Sequence, residues 1–95
     1  MVVGVMQVRM MLPGNHSLKG KRSVMNRLRD RIHNKFNVAI AEVDDQDKWQ
    51  SLVIGISTVS NEAVHAEQSL QAVRQAIEGE ALGHLVDAWV EVVRF

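Results

Sequence analysis

The order of hydrophobic patterns along the chain is the feature that most restricts its fold. Two segments repeat apolar residues at steps of three and four, the spacing of an amphipathic helix. Four others are rich in β-branched residues or alternate apolar with polar residues, as strands do. We predict strands over Val2–Leu12, Val38–Val43, Trp49–Ser60 and Leu85–Phe95, a helix within His16–Phe36 that Ser17 caps, and a helix from Ser60 or Asn61 to about Ala81.

The resulting β-α-β-β-α-β order predicts the arrangement of these segments. Two helices with one apolar stripe each need a sheet to cover those stripes, and both can lie on the same face of it. A chain of 95 residues is the size of one domain. We therefore expect a single α+β domain over residues 1–95, a ferredoxin-like split β-α-β-β-α-β sandwich with a four-stranded antiparallel sheet and two helices on one face.

Residue types and spacing argue against several classes of function. Cysteine is absent, which excludes disulfides and thiolate chemistry, and the four histidines lack zinc-ligand spacing. The acidic run from Glu42 to Asp47 is explained better by turn chemistry than by a metal site. We find no phosphate-binding Walker motif or catalytic triad motif, and predict no enzymatic activity, metal or cofactor. With no signal-peptide pattern and no apolar run near 20 residues, we expect a cytoplasmic protein without membrane contact.

The charges are separated along the chain although they sum to zero. Residues 1–37 hold eight basic residues against Asp30, a net +7, whereas residues 38–95 hold three basic and ten acidic residues, a net −7. Most of the basic residues fall on the polar side of the first predicted helix, whose capped, positively polarised start also favours phosphate. The candidate anion- or RNA-binding residues are Ser17, Lys19, Gly20, Lys21, Arg22, Arg27, Arg29 and Arg31.

Plainer interpretations of the same residues stay open. A cationic helix face can simply be solvated, or it can pair with the acidic surface of a second subunit. Gly20 would let a ligand approach the backbone, yet it could equally lie in a frayed first turn where a glycine costs little.

One face of the predicted sheet has no helix to cover it. RNA recognition motifs stack bases on aromatic residues of such a face, but their sequence motif is missing and the first strand has no aromatic residue, so we do not expect base stacking there. Apolar residues on an open face more often form an interface. The predicted interface residues are Val5, Trp49, Val53, Trp89 and Val93, with core packing of the two tryptophans as the alternative.

Several short stretches together resemble one protein family. They are S-L-K-G-K-R at Ser17–Arg22, K-F-N-V at Lys35–Val38, A-E-V-D at Ala41–Asp44, Asp47 with Trp49 and Gln50, and V-S-N at Val59–Asn61. With these residues the chain resembles the YlxP-like family of small bacterial proteins over nearly its whole length. The resemblance implies a ferredoxin-like fold and self-association. The genes of this family often lie beside translation and ribosome-maturation genes, and some members carry the label of ribosome-binding factor. The resemblance implies no catalytic residues.

Two functional hypotheses follow, with a third held in reserve. The first is a non-enzymatic RNA- or ribosome-associated factor whose partner is structured RNA or a ribosomal subunit. The alternative is a homodimeric protein-interaction module that uses the open sheet face and has no nucleic-acid ligand. The third is a small enzyme acting on a phosphorylated compound, for which only His16 and Ser17 lie near the Ser17–Arg22 segment.

Overall fold

The computed structural model describes residues 1–95 and confirms the predicted order of elements and the fold class. The elements are β1 Val2–Met11, α1 Leu18–Lys35, β2 Ala39–Asp44, β3 Ser51–Ser60, α2 Ala63–Gly79 and β4 His84–Arg94. The strands form one antiparallel sheet in the order β2-β3-β1-β4. Both helices cover one face of this sheet, and neither has the length and apolar character that crossing a bilayer requires.

The core lies between the helices and the two central strands. Alternate residues of β1 and β3 point inward, and they meet the apolar stripes of α1 and α2. Burying each such side chain contributes about 1.5–3 kcal/mol. Glycine is required at position 4 for close packing of α2 on β1, because a Cβ atom there would lie 2.9 Å from Leu70 Cδ1. The strand that α2 crosses therefore has no side chain at the contact point.

The two helices begin differently. Ser17 caps α1 as predicted, since its Oγ accepts a hydrogen bond from the Gly20 N–H at 3.0 Å. α2 begins after Glu62, whose side chain makes no capping hydrogen bond. The predicted cap at Ser60 or Asn61 is therefore wrong by one or two residues. The Ser60 hydroxyl instead accepts from the Glu62 N–H at 3.1 Å, which stabilises the turn before the helix.

A bulge in β4 changes which residues face the core. Simple alternation predicts Val86 on the inner face with Ala88, and Leu85 on the outer face. In the structure Arg9 pairs with Asp87 but Met10 pairs with Leu85, so Val86 is an extra residue in the strand. Leu85 consequently packs against the core, whereas Val86 is 55% exposed.

Candidate nucleic-acid interface

The outward side of α1 carries the exposed cations. Of the predicted residues, Lys19, Arg22, Arg27 and Arg31 are exposed and Arg29 is half-buried. Arg31 pairs with Glu80 at 3.6 Å, an exposed contact of the kind that contributes about 0–1 kcal/mol. Arg29 Nη1 donates to Asn26 Oδ1 at 3.2 Å. We call the set without salt bridges the basic face, and it consists of Lys19, Arg22, Arg27 and Arg29.

Lys21 does not belong to this surface. Only 2% of it is exposed, and its Nζ donates hydrogen bonds to the backbone oxygens of Asp45 (2.6 Å), Gln46 (3.2 Å) and Ser51 (3.3 Å). The same Nζ lies 2.8 Å from Glu42 Oε2, a buried oxygen that has no hydrogen-bond partner, so the contact is ionic. The predicted role of Lys21 as a phosphate ligand is corrected, because its ammonium group is surrounded by protein oxygens and joins α1 to the β2–β3 loop.

The start of α1 is packed more closely than an open phosphate site would be. A Cβ atom on Gly20 would lie within 2.0 Å of Asn15 Oδ1, so the Asn15 side chain occupies the space predicted for a ligand. Asn15 Nδ2 donates to the backbone oxygens of Ser17 (2.8 Å) and Trp49 (2.5 Å). Ser17 Oγ is already the acceptor for the Gly20 N–H. Ser17 and Gly20 therefore build the helix start and its contact with the next loop, and the predicted direct contact of Gly20 with an anion is corrected.

The β2–β3 loop has its own internal contacts. Asp45 has a positive φ of 53°, and its Oδ2 accepts a hydrogen bond from Ser51 Oγ at 2.6 Å. The Ser51 hydrogen bond holds the pKa of Asp45 below its ordinary value of 3.8, partial desolvation opposes this shift, and the positive charge of Lys48, 3.5 Å away, reinforces it. Asp44 and Asp45 of the acidic run thus make turn contacts as predicted, whereas Glu42 lies in β2 and pairs with Lys21.

Trp49 lies in this loop and is 52% exposed. It lines an open groove of about 730 Å³ together with residues of β1 and of the loop before α1. Arg9 and Met11 lie on the outward side of β1, so this groove borders the open sheet face, and Trp49 lines a groove separate from that of Trp89. The lining residues of this groove, called the end groove below, are Arg9, Met11, His16, Asp45, Asp47, Lys48, Trp49, Gln50 and Ser51.

The other predicted interface residues divide between surface and core. Val5 and Trp89 line a second groove of about 390 Å³ on the open sheet face, and Trp89 is 55% exposed. Val93 is 38% exposed and forms a cross-strand row with Val3 and Val59. Val53 is only 3% exposed, so its prediction as an accessible interface residue is wrong.

Three residues that matter here had no distinguishing signal in the sequence. Asn15, Glu42 and Gln50 act through contacts more than 20 positions away, and Gln50 Nε2 donates to the Pro13 and Asn15 backbone oxygens at 3.2 Å each. Such long-range contacts depend on which loops the fold brings together, and local spacing does not encode them.

Comparisons with known proteins agree with the fold. A protein of Chloroflexus aurantiacus named as a candidate antibiotic biosynthesis monooxygenase is 18% identical, with a TM-score of 0.55 and coverage of 100% of this chain and 95% of that one. The designed protein Foldit4 is 13% identical, with a TM-score of 0.54 and coverage of 99% and 97%. At such low identity the likeness concerns the fold alone.

Sequence comparison gives the family. The uncharacterised protein YlxP of Bacillus subtilis strain 168 is 47% identical over 62 residues, which are 65% of this chain and 67% of YlxP. The family model described as "Protein of unknown function (DUF503)" matches residues 3–89. The chain therefore belongs to the DUF503 family, the YlxP-like proteins that the short sequence stretches indicated.

Proposed function

We propose that the protein is a non-enzymatic RNA-associated factor that binds the phosphate backbone of structured RNA, such as that of a ribosomal subunit, through the basic face of α1. The observation that carries the proposal is that Lys19, Arg22, Arg27 and Arg29 make no salt bridge within the chain. Cations that the protein leaves unpaired can neutralise phosphates and release the counterions condensed on RNA.

The shape of the surface suits the backbone of a duplex. Double-stranded RNA is recognised largely through phosphates and 2′-hydroxyls, because its deep major groove excludes side chains. A helix with exposed arginines can contact successive phosphates from one side, and arginine pairs with phosphate in a bidentate geometry. The basic face extends from Lys19 to Arg29, within an 18-residue helix whose other side is anchored in the core.

The reserve hypothesis of an enzyme gains little from the same residues. Of its two candidate residues, His16 lines the end groove and Ser17 uses its Oγ as the cap acceptor for the Gly20 N–H. A serine nucleophile needs a base within hydrogen-bond reach, and the hydrogen-bond partner of the Ser17 hydroxyl is the Gly20 N–H.

The test is a binding measurement with charge-matched variants. Fluorescence anisotropy of a labelled RNA hairpin should show weaker binding by the Arg22→Gln/Arg27→Gln variant than by the wild type. The control variant Arg74→Gln/Arg94→Gln loses the same charge outside the basic face and should bind nearly as well as the wild type. Equal affinities of the two variants would reject the basic face as the RNA-binding surface.

The second candidate function is assembly of a homodimer through the open sheet face. It is favoured by the exposed apolar residues there, with Val43 46%, Trp89 55% and Val59 66% exposed. The Cα extents of the molecule, 42 × 22 × 18 Å, leave room on this face for the ~800 Å² per partner of a standard interface. Because the helices lie on the opposite face, a dimer of this kind would leave both basic faces free for RNA.

A further inference from the structure

We propose that the end groove binds a single unpaired nucleotide, with its base on the Trp49 indole and its phosphate near Arg9 and His16. This inference rests on the proposed function and deepens it, since it adds a second RNA-binding site that accepts an unpaired base. The groove of about 730 Å³ falls within the range of about 300–1,000 Å³ that is usual for small-molecule sites.

The aromatic residue is held in place by its backbone while its ring stays accessible. Asn15 Nδ2 donates to the Trp49 backbone oxygen, and the Leu12 N–H donates to the Gln50 backbone oxygen at 2.9 Å. On the other side of the loop, Lys21 holds the Asp45 and Ser51 carbonyls. A loop backbone fixed in this way has little freedom left to lose when a base stacks on the ring, which favours binding.

The groove holds groups for both ends of a nucleotide, since Arg9 and Lys48 are cations that can contact a phosphate while Asp45 and Asp47 are acceptors. Arg9 and His16 line the groove without a salt bridge, and the charge of Arg9 is close enough to Asp45 to help lower the pKa of that carboxyl. Lys48 is partly neutralised by Asp45 at 3.5 Å and contributes less. Asp47 is the remaining acid, and its carboxylate can accept a hydrogen bond from a base amino group. An aromatic face beside cations is the usual composition of single-stranded nucleic-acid sites.

The position of the groove connects it to the basic face. His16 directly precedes Ser17, the cap of α1, and Asn15 contacts both Ser17 and Trp49. An RNA strand that leaves a duplex on the basic face could place its first unpaired nucleotide in the end groove. Bases inside a duplex are stacked on one another and cannot stack on Trp49.

The test uses the intrinsic fluorescence of the two tryptophans. In the Trp89→Phe variant, Trp49 is the only tryptophan, so its emission reports on the groove. We expect a single-stranded adenosine octamer to quench this emission, and a blunt RNA duplex of the same length to leave it unchanged. Trp49→Leu should weaken octamer binding about tenfold or more while duplex binding is retained, and Trp49→Phe should keep most of the affinity.

The outcomes separate this inference from the proposed function. If the duplex binds and the octamer does not quench Trp49, the assignment of the end groove to a nucleotide is overturned. The assignment of the basic face to RNA is then retained. If the octamer quenches Trp49 and the duplex does not bind, the assignment of the end groove to a nucleotide is retained. The assignment of the basic face to RNA is then overturned. Equal octamer affinity of the Trp49→Leu variant and the wild type would also overturn the groove assignment.

Discussion

Lys21 shows how far a single residue can depart from the pattern around it. It lies in the most basic stretch of the chain, yet its ammonium group contacts four protein oxygens that belong to residues 42–51. The charge pattern of α1 could not reveal this, because neighbouring Lys19 and Arg22 have the same charge and remain exposed. What distinguishes Lys21 is its angular position beside Met25 and Leu28 on the buried stripe.

Replacing Lys21 should destabilise the fold without removing an RNA contact, because Lys21 is not part of the basic face. Lys21→Met leaves the Glu42 carboxylate and three carbonyl oxygens without their partner, and we expect a loss of about 3 kcal/mol in the free energy of unfolding. Urea denaturation measures this loss, with Lys19→Met as the control that should change stability by less than about 0.5 kcal/mol.

A second variant tests the cause of that loss. Adding Glu42→Gln to Lys21→Met removes the uncompensated negative charge and should restore part of the stability. If Lys21→Met instead unfolds at the same urea concentration as the wild type, the buried ion pair does not hold the loop as the structure indicates.

At the scale of elements, the pattern of the sequence predicted the strands and helices well where one period continues without interruption. The central strand β1 alternates regularly, so its inner residues were predictable, whereas in β3 Leu52, Val53 and Ile54 are all buried and alternation missed Val53. The inner and outer faces of β4 were not predictable through the bulge, because no glycine or proline marks the extra residue Val86. Trp49 was assigned to a strand that begins only at Ser51, so it belongs to the loop before β3.

The β2–β3 loop should respond to acid through Asp45. The pKa of Asp45 is lowered chiefly by the Ser51 hydrogen bond, so the carboxylate stabilises the fold above its ordinary pKa of 3.8, and this contribution is lost as the pH falls through the lower pKa of the folded state. NMR titration of the side-chain carboxyl should show that Ser51→Ala raises the pKa of Asp45 toward its ordinary value.

The order of effects distinguishes the Ser51 hydrogen bond, the largest cause of the lowered pKa, from the interactions with Lys48. Lys48→Met removes the smaller charge interaction and should raise the pKa of Asp45 less than Ser51→Ala does. The acid-induced loss of stability should also be smaller in the Ser51→Ala variant than in the wild type. A larger rise with Lys48→Met would mean that charge and not hydrogen bonding controls this carboxyl.

For the whole molecule, the two layers of the fold separate two surfaces. The helix layer carries the basic face, and the uncovered sheet face carries the row of Val3, Val59 and Val93 beside Trp89. The predicted separation of charge is reduced in the folded chain, since Lys21 and Arg31 pair with Glu42 and Glu80. The four residues of the basic face remain unpaired, and they sustain the RNA hypothesis.

If the open sheet face is a dimer interface, a charge placed at its centre should disrupt it. Trp89→Asp introduces a carboxylate into the apolar groove around Val5 and should shift the protein toward monomers in sedimentation equilibrium. Val64→Asp on the exposed side of α2 is the matched control, since Val64 is 62% exposed on the helix layer. A wild-type protein that is monomeric at all concentrations would remove the dimer hypothesis.

The salt dependence of RNA binding tests the central claim most directly, because each phosphate contact contributes to the slope of log K against log salt concentration. With an RNA hairpin, the Lys19→Gln/Arg22→Gln/Arg27→Gln variant should lose about one unit of slope for each residue replaced, with unfolding stability nearly unchanged. A wild-type slope near zero, or the same slope in the variant and the wild type, would contradict the assignment of the basic face to RNA.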